Sequence, residues 1–280
     1  MTSVSESTAS ADTIAFIGGG NMASAIIGGL LKQGLAASQI QIVEPWAEQR
    51  TKLQSQFGIS ALAEPGAALA AASLVVWAVK PQAFRQAAQQ AGPHTTQALH
   101  LSVAAGIRSA SIARWLGSER IVRAMPNTPA LIGQGMTALF ARPAVSDADR
   151  KKIAAVIATT GQHLWLADEG QLDAVSALSG SGPAYVFYFL EAMIEAGKQL
   201  GLSRDQAHQL AVATFVGSSA LAQASSEPPE LLRERVTSKG GTTYAALTAM
   251  EQAGIKQHFM RAMVAAHQRA GELGDEFGAD

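Results

Sequence analysis

The chain contains no cysteine, which excludes disulfide bridges, thiolate nucleophiles and cysteine-ligated metal centres, and with them a disulfide-stapled secreted scaffold. Long hydrophobic runs are missing too. Apolar stretches are broken by Gly, Pro or charge well short of the roughly 18 residues a membrane span needs. Excess charge of either sign is also lacking: 21 Lys and Arg face 22 Asp and Glu, for a formal net charge of -1. That balance leaves no basic footprint for nucleic acid or for an acidic membrane surface. The six histidines (His94, His100, His163, His208, His258, His267) show no H-x-x-x-H or similar spacing, so no metal site is expected. The opening "MTSVSESTASAD" has neither the positive n-region nor the apolar h-region of a secretory signal. Residues 1–12 are read as a disordered tail, and the protein as cytoplasmic.

What is present is a core-forming chain of 280 residues, 48% of them hydrophobic, long enough for two domains of ordinary size. Short apolar runs at Ile14–Ile17, Ile40–Val43, Leu74–Ala78, Ala98–Val103, Ile121–Ala124, Met136–Phe140 and His163–Leu166 read as strands. Helical patterns lie between most of them, among them Ala47–Phe57, Gln82–Ala91 and Ser109–Leu116. Such alternation predicts a mostly parallel sheet covered by helices on both faces. From Asp168 onward the pattern is helical throughout. The expected organisation is an α/β domain over 13–167, built on a doubly wound sheet, followed by an all-helical domain over 168–280.

Between the first strand and the first helix stands "GGGNMA". Gly18, Gly20 and Ala23 fit G-x-G-x-x-A, the variant dinucleotide fingerprint of a Rossmann-type sheet. The first glycine permits the turn, the second lets a pyrophosphate approach the backbone, and the small third residue brings helix and strand together. The amides of the helix's first turn then face the phosphates. Glu44, at the end of the second strand, stands where an acid accepts hydrogen bonds from the adenosine ribose and disfavours a 2′-phosphate. Two alternatives stay open: Glu44 caps the helix after Pro45, and Arg50 reaches a 2′-phosphate.

Further segments fall at the carboxyl ends of strands, where doubly wound sheets place ligands. "AVKPQ" carries Ala78, Lys80 and Pro81, and "SVAAGI" carries Ala104 and Gly106. Lys80 is either a charge partner for cofactor or substrate or a solvated loop lysine. "MPNTP" is stiffened by Pro126 and Pro129, with Asn127 offering donors and an acceptor to a rigid site wall. Far along the chain, the polar, glycine-rich "ERVTSKGGTTYAAL", Glu234 to Leu247, interrupts apolar helical patterns. Gly240 and Gly241 allow a turn, and Thr242 and Thr243 start a helix, so converging amides there would receive a carboxylate. A plain connector with Ser/Thr caps is the competing reading. "SGSGPAYVFYFLEAM" reads as a loop entering an apolar helix, its aromatics core or dimer interface, and Asp168, Glu169 and Asp173 as that domain's polar start.

Taken in order, "FIGGGNMA", "AVKPQ", "SVAAGI", "MPNTP", "SGSGPAY" and "VTSKGGTT" resemble the pyrroline-5-carboxylate reductase family over essentially the whole chain, from about Ile14 to about His267. The resemblance implies a C-terminal helical domain that forms a homodimer, with dimers assembling further, for example into a decamer. It implies reduction of 1-pyrroline-5-carboxylate to L-proline with NADPH or NADH. By residue, it implies that Gly18, Gly20, Asn21 and Met22 hold the pyrophosphate, and that Ala78, Lys80, Pro81, Ala104 and Gly106 line the ribose and nicotinamide. Ser238, Lys239, Gly240, Gly241 and Thr242 would receive the substrate carboxylate, with Thr243 beside the imine nitrogen. Many members carry proline where this chain has Lys239, and Glu44 departs from members with Ser, Asn or Arg thereabouts, which bears on the choice between NADPH and NADH. Two other classes fit the same plan: a hydroxy- or keto-acid dehydrogenase with an acid–base lysine on a helix of the second domain, for which Lys198 is poorly placed, and a nucleotide-binding regulator without turnover.

Overall fold

The computed structural model describes residues 12–278; the expected tail lies outside them except for Asp12. Seven strands form one sheet: β1 (Thr13–Ile17), β2 (Ile40–Val43), β3 (Ala72–Trp77), β4 (Leu99–Ser102), β5 (Ile121–Met125), β6 (Gly135–Ala141) and β7 (Gly161–Trp165), in the spatial order β2-β1-β3-β4-β5-β6-β7. All neighbours pair in parallel except β5 and β6, which are antiparallel. Helices α1 (Asn21–Lys32), α2 (Ala47–Phe57), α3 (Pro81–Ala91), α4 (Ser109–Leu116) and α5 (Asp147–Ala158) connect the strands. The sheet has an apolar core on each face. Phe16, Ile42, Leu74, Val76 and Leu101 point to one cluster with Ile26, Ile27 and Ile153, while Ala15, Val75 and Trp77 point to the other with Phe84, Ile107 and Ile112. Two-sided burial is why these strands are continuous apolar runs and not alternating ones.

Local chemistry sets the helix ends. Pro81 occupies the first turn of α3, where its missing N–H costs nothing. Ser146 and Asp149 cap α5 reciprocally, and α2 and α4 stop at Gly58 and Gly117, both left-handed. The remaining helices are α6 (Gln171–Val175), α7 (Gly182–Gln199), α8 (Arg204–Ala224), α9 (Pro229–Arg235), α10 (Thr242–Gln252) and α11 (Ile255–Gly278).

Packing divides the chain into two compact units, one running through Gly180 and resuming at Ala266, the other Ser181–Ala265. The helical pattern does begin after β7, but this division falls later than the expected 167/168 boundary, for a stated reason. Glu169 accepts hydrogen bonds from the Ser109 N–H (2.5 Å) and Oγ (2.6 Å) and pairs with the Arg123 guanidinium at 2.6 Å. Asp173 pairs with Arg108 at 3.0 Å. These acids, expected as a polar helix start, therefore tie α6 to β5 and to the head of α4. Burial alone would raise the Glu169 pKa, but the bonds from Ser109 and Arg123 outweigh it and hold the carboxyl below its ordinary range. The stretch expected as a loop before α7 is a π-helical turn, Ser176–Gly180. Among the described residues no helix is long and apolar enough to cross a membrane, and no group of three or more potential metal ligands occurs.

Candidate functional site

From β1 the chain crosses to β2 on one side and then returns to β3 on the other, so the switch point, and with it the ligand crevice, lies at the carboxyl ends of β1 and β3. The glycine turn sits there. Gly18 has φ +94, and a Cβ on it would lie 2.6 Å from the Ala78 carbonyl oxygen, so only glycine fits where the two strand ends close. Its N–H donates to Val43 O and the Ala78 N–H donates to Ile17 O, each at 2.8 Å. A Cβ on Gly20, by contrast, would meet nothing within 4 Å. Gly18 thus serves the fold, and Gly20 leaves space in front of the first turn of α1, whose amides are without helical partners. That space suits a pyrophosphate.

The middle glycine, Gly19, was not singled out by the fingerprint. A Cβ there would lie 2.5 Å from Leu53 Cδ1, its N–H donates to Glu44 Oε2 at 2.9 Å, and its carbonyl accepts from Gln49 Nε2 at 2.7 Å. The other Glu44 oxygen accepts from the Trp46 N–H at 3.0 Å. Glu44 is buried and joins the glycine turn to the end of β2. Of the two sequence readings of this acid, the one in which it binds the backbone just ahead of α2 is seen in the bond from the Trp46 N–H, and that bond leaves the ribose reading open. Arg50 donates to the Glu44 and Pro45 carbonyls at 2.9 and 2.7 Å. Beside them a cleft of about 360 Å³ is lined by Val43, Pro45, Pro65, Val79, Ala83 and Ala87, with Glu64, Gln86 and Gln90 adding polar groups, a mostly apolar slot of the kind that takes a flat base.

On the opposite side of the crevice lie the ends of β3 and β4. Lys80 is exposed, with Nζ 5.8 Å from the centre of the Trp46 ring, a cation–π contact. Ala78 and Pro81 flank it. Ala104 is buried, and Gly106 has φ +78. Asn127 accepts from the Met136 N–H at 2.9 Å and donates to the Ser179 carbonyl at 3.2 Å, so its amide braces the loop after β5 against the π-helical turn. The residues proposed from the sequence for the cofactor thus converge on one edge of the first unit. Those residues can hold a dinucleotide: a void where Gly20 lacks a side chain, free amides at a helix start, and an apolar slot beyond an acid.

The second unit holds the other set. The Gly241 N–H donates to Ser238 O at 3.0 Å and Gly240 has φ +74, which makes Ser238–Lys239–Gly240–Gly241 a tight turn with glycine at its left-handed position. Gly241 is the N-cap of α10, without a side-chain cap. The first helical bond runs from Ala245 N–H to Gly241 O, so the amides of Thr242, Thr243 and Tyr244 are left without helical partners. Lys239 and Thr242 are exposed and Thr243 is half-buried. Lys198 is occupied by Glu195 at 2.9 Å, which gives no support to an acid–base lysine there.

Comparison with known proteins matches different family models to the two ends of the chain. Residues 169–273 match the family model described as pyrroline-5-carboxylate reductase dimerisation, and residues 13–106 match the one described as NADP oxidoreductase, coenzyme F420-dependent. The chain is 45% identical to a pyrroline-5-carboxylate reductase of Pseudomonas aeruginosa, over 95% of this chain and 98% of that one. It is 37% identical to one of Pisum sativum, over 93% and 96%. Among solved structures, a pyrroline-5-carboxylate reductase from Coxiella burnetii superposes with a TM-score of 0.86 at 34% identity, covering 94% of this chain and 98% of that chain. A Plasmodium falciparum pyrroline carboxylate reductase with NADP bound superposes with a TM-score of 0.84 at 28% identity, with the same coverage.

Proposed function

This chain belongs to the pyrroline-5-carboxylate reductase family, and from that premise we propose that it transfers a hydride from NAD(P)H to the cyclic imine 1-pyrroline-5-carboxylate, giving L-proline in the final step of proline biosynthesis. The observation that carries the reading, beyond family membership, is the presence of two uncapped helix starts reached through glycine turns. One, after Gly20, offers amides to a pyrophosphate, and the other, after Gly241, offers them to a carboxylate.

NAD(P)H, when bound, supplies the hydride. Asn21 and Met22 present backbone N–H groups to its pyrophosphate, and Glu44 orders the turn and accepts from the adenosine ribose. Ala78, Lys80, Pro81, Ala104 and Gly106 line the ribose and nicotinamide side, and Asn127 keeps the adjoining wall fixed. Ser238, Gly240, Gly241 and Thr242 form the carboxylate receptor, with the Lys239 ammonium adding attraction for the anion. The Thr243 hydroxyl donates a hydrogen bond to the imine nitrogen and draws electron density from the carbon that receives the hydride. A threonine hydroxyl is a weak acid, so its contribution is chiefly orientation, and the proton that the ring nitrogen gains along with the hydride on carbon comes from solvent water. Holding two reactants at attack geometry supplies about 7–11 kcal/mol of the barrier, which is why the site needs neither a metal nor a strongly perturbed acid.

The helical region is a dimerisation module by family; assembly of the dimers into a decamer and a cytoplasmic location belong to the proposal and are testable by mass in solution and by fractionation. Thr243→Ala is expected to lower kcat by about 10²-fold, the usual scale for a positioned proton-sharing group, with the Kd for NAD(P)H unchanged. Unaltered turnover would remove Thr243 from the imine. Glu44→Ser is expected to weaken both cofactors through the turn and to shift the ratio of kcat/KM values toward NADPH. Equal losses with both cofactors would leave Glu44 as a brace alone.

A further inference from the structure

The last turns of α11 return to the first unit and lie on the loop between β4 and α4. Space at Gly106 is closed by Leu273 and Phe277: a Cβ on this glycine would lie 3.3 Å from Leu273 Cβ and 3.5 Å from Phe277 Cδ2. Two residues on, the Arg108 guanidinium covers Gly274, where a Cβ would lie 3.0 Å from Nε and 3.1 Å from Nη2, while its Nη1 pairs with Asp173. One turn further, the Gly278 carbonyl accepts from Ser111 Oγ at 3.1 Å and Arg114 Nη2 at 3.3 Å. That contact places a cation at the helix C-terminus, where the dipole favours it. Phe277 packs on the core cluster that contains Ala104, Ile107 and Ile112.

Each of these contacts has a sequence cause that concerns only this loop. Leu273 and Phe277 stand four apart on one helix face, and so do Gly274 and Gly278. A glycine inside a helix costs about 1 kcal/mol relative to alanine, and Gly274 stands where an added Cβ, 3.0 Å from Nε, would make the Arg108 guanidinium shift. The helix is thus shaped to the loop. Its left-handed Gly106 and its position at a strand end would otherwise leave it mobile.

We infer that the end of α11 is a strap that fixes the loop 104–108 for the nicotinamide half of the cofactor, with Leu273 and Phe277 as positioning residues. The inference rests on the proposed reading that Ala104 and Gly106 flank the nicotinamide. It goes beyond that reading in assigning cofactor affinity to side chains at the far end of the chain that touch no ligand. The strand order makes it specific. The proposed adenosine slot lies beside the ends of β1, β2 and β3, whereas the close contacts of the strap at Gly106, Arg108, Ser111 and Arg114 all fall on the segment after β4. Loosening the strap should therefore weaken the nicotinamide half and spare the adenosine half.

The test uses the full-length chain and two matched pairs of ligands, NADH with ADP-ribose and NADPH with 2′-phospho-ADP-ribose. Phe277→Ala and Leu273→Ala should each weaken binding of the intact cofactor by about five- to tenfold, the scale of a lost apolar contact, while the nicotinamide-free halves bind within about twofold of the parent. Phe277→Leu should restore most of the loss. Equal weakening of intact cofactor and half-ligand would mean general loosening of the unit, and no weakening of either would mean the loop stands without the strap; each result overturns the inference. Ala104→Val separates the two layers of the argument. Unchanged cofactor binding in Ala104→Val would remove the nicotinamide from this loop, whereas weakened binding there with full binding in Phe277→Ala would reject the strap alone.

Discussion

Trp77 and Phe187 are both large aromatics on regular elements, yet Trp77 is 0% exposed and Phe187 is 59% exposed. The contrast extends to the units that contain them. In the first, every residue of β4 is buried and two apolar clusters sandwich the sheet. In the second, α7 buries only Gly197, α8 only Ala207 and Ala211, and α10 nothing. Tyr188, Leu210, Val216, Leu221, Met260 and Val264 are all exposed. Monomeric surfaces carry single apolar residues, not whole helix faces of them. The first unit closes its own core, whereas the second is half of a core whose other half is a second copy, as the dimerisation model matched over 169–273 says of its family.

The largest expected effect breaks that contrast directly. Val216→Asp combined with Leu221→Asp would put unpaired carboxylates into a surface that another copy must bury, at a cost of several kcal/mol per charge. Sedimentation should then show the monomer mass, and activity should be lost. A double variant that stays dimeric and active would show that this face is not the interface.

A second test contrasts two glycines of one turn within the self-sufficient unit. Gly18→Ala forces a Cβ against the Ala78 carbonyl oxygen at a positive φ, and should destabilise the protein by about 4 kcal/mol, adding backbone strain to overpacking. Gly20→Ala meets nothing and should leave stability within about 0.5 kcal/mol while weakening NAD(P)H binding at least tenfold, since the void is where the pyrophosphate comes close. Denaturant melts and cofactor titrations on the pair would show whether fold and ligand divide between these positions.

How far the sequence led can be judged element by element. All seven strands were legible as short apolar runs between helical patterns or turn residues, six of them because they are largely buried and β7 although none of its residues is buried, and the ends of α2 and α4 followed from their glycine stops. The three-glycine turn was legible as a tight strand-to-helix connection, and Gly18 does stand where only glycine fits. The bonds that tie Glu44 and Gln49 to Gly19 were not legible, since they depend on which atoms meet across 25 and 30 residues of chain; the bond that Glu44 accepts from the Trp46 N–H matches the cap alternative already read from the sequence. The network of Arg108, Arg123, Glu169 and Asp173 was hidden for the same reason, and so the polar stretch after β7 looked like a helix start and not an anchor. The return of α11 to the first unit leaves no periodic signal at all.

A smaller effect sharpens the picture of the closed core. His100 lies buried on β4, where its Nδ1 accepts from Trp77 Nε1 at 3.2 Å. Burial, helped by the nearby Arg120 charge, lowers its pKa from 6.5 to about 4. The unfolded chain therefore takes up this proton first as the pH falls. Stability is whole above pH 6.5 and declines between 6.5 and about 4, by up to about 3 kcal/mol. His100→Asn should flatten the decline over that interval in denaturant midpoints measured against pH. An unchanged slope would assign the decline to other groups.

In the proposed reaction the self-contained unit holds NAD(P)H and the helical unit presents the imine for reduction. It is tested most directly by following oxidation of NADPH and of NADH by the purified chain with 1-pyrroline-5-carboxylate as acceptor, with L-proline measured as product. The account predicts turnover with at least one of the two cofactors and proline formed in equal amount to cofactor oxidised. Cofactor binding without proline formation would contradict it.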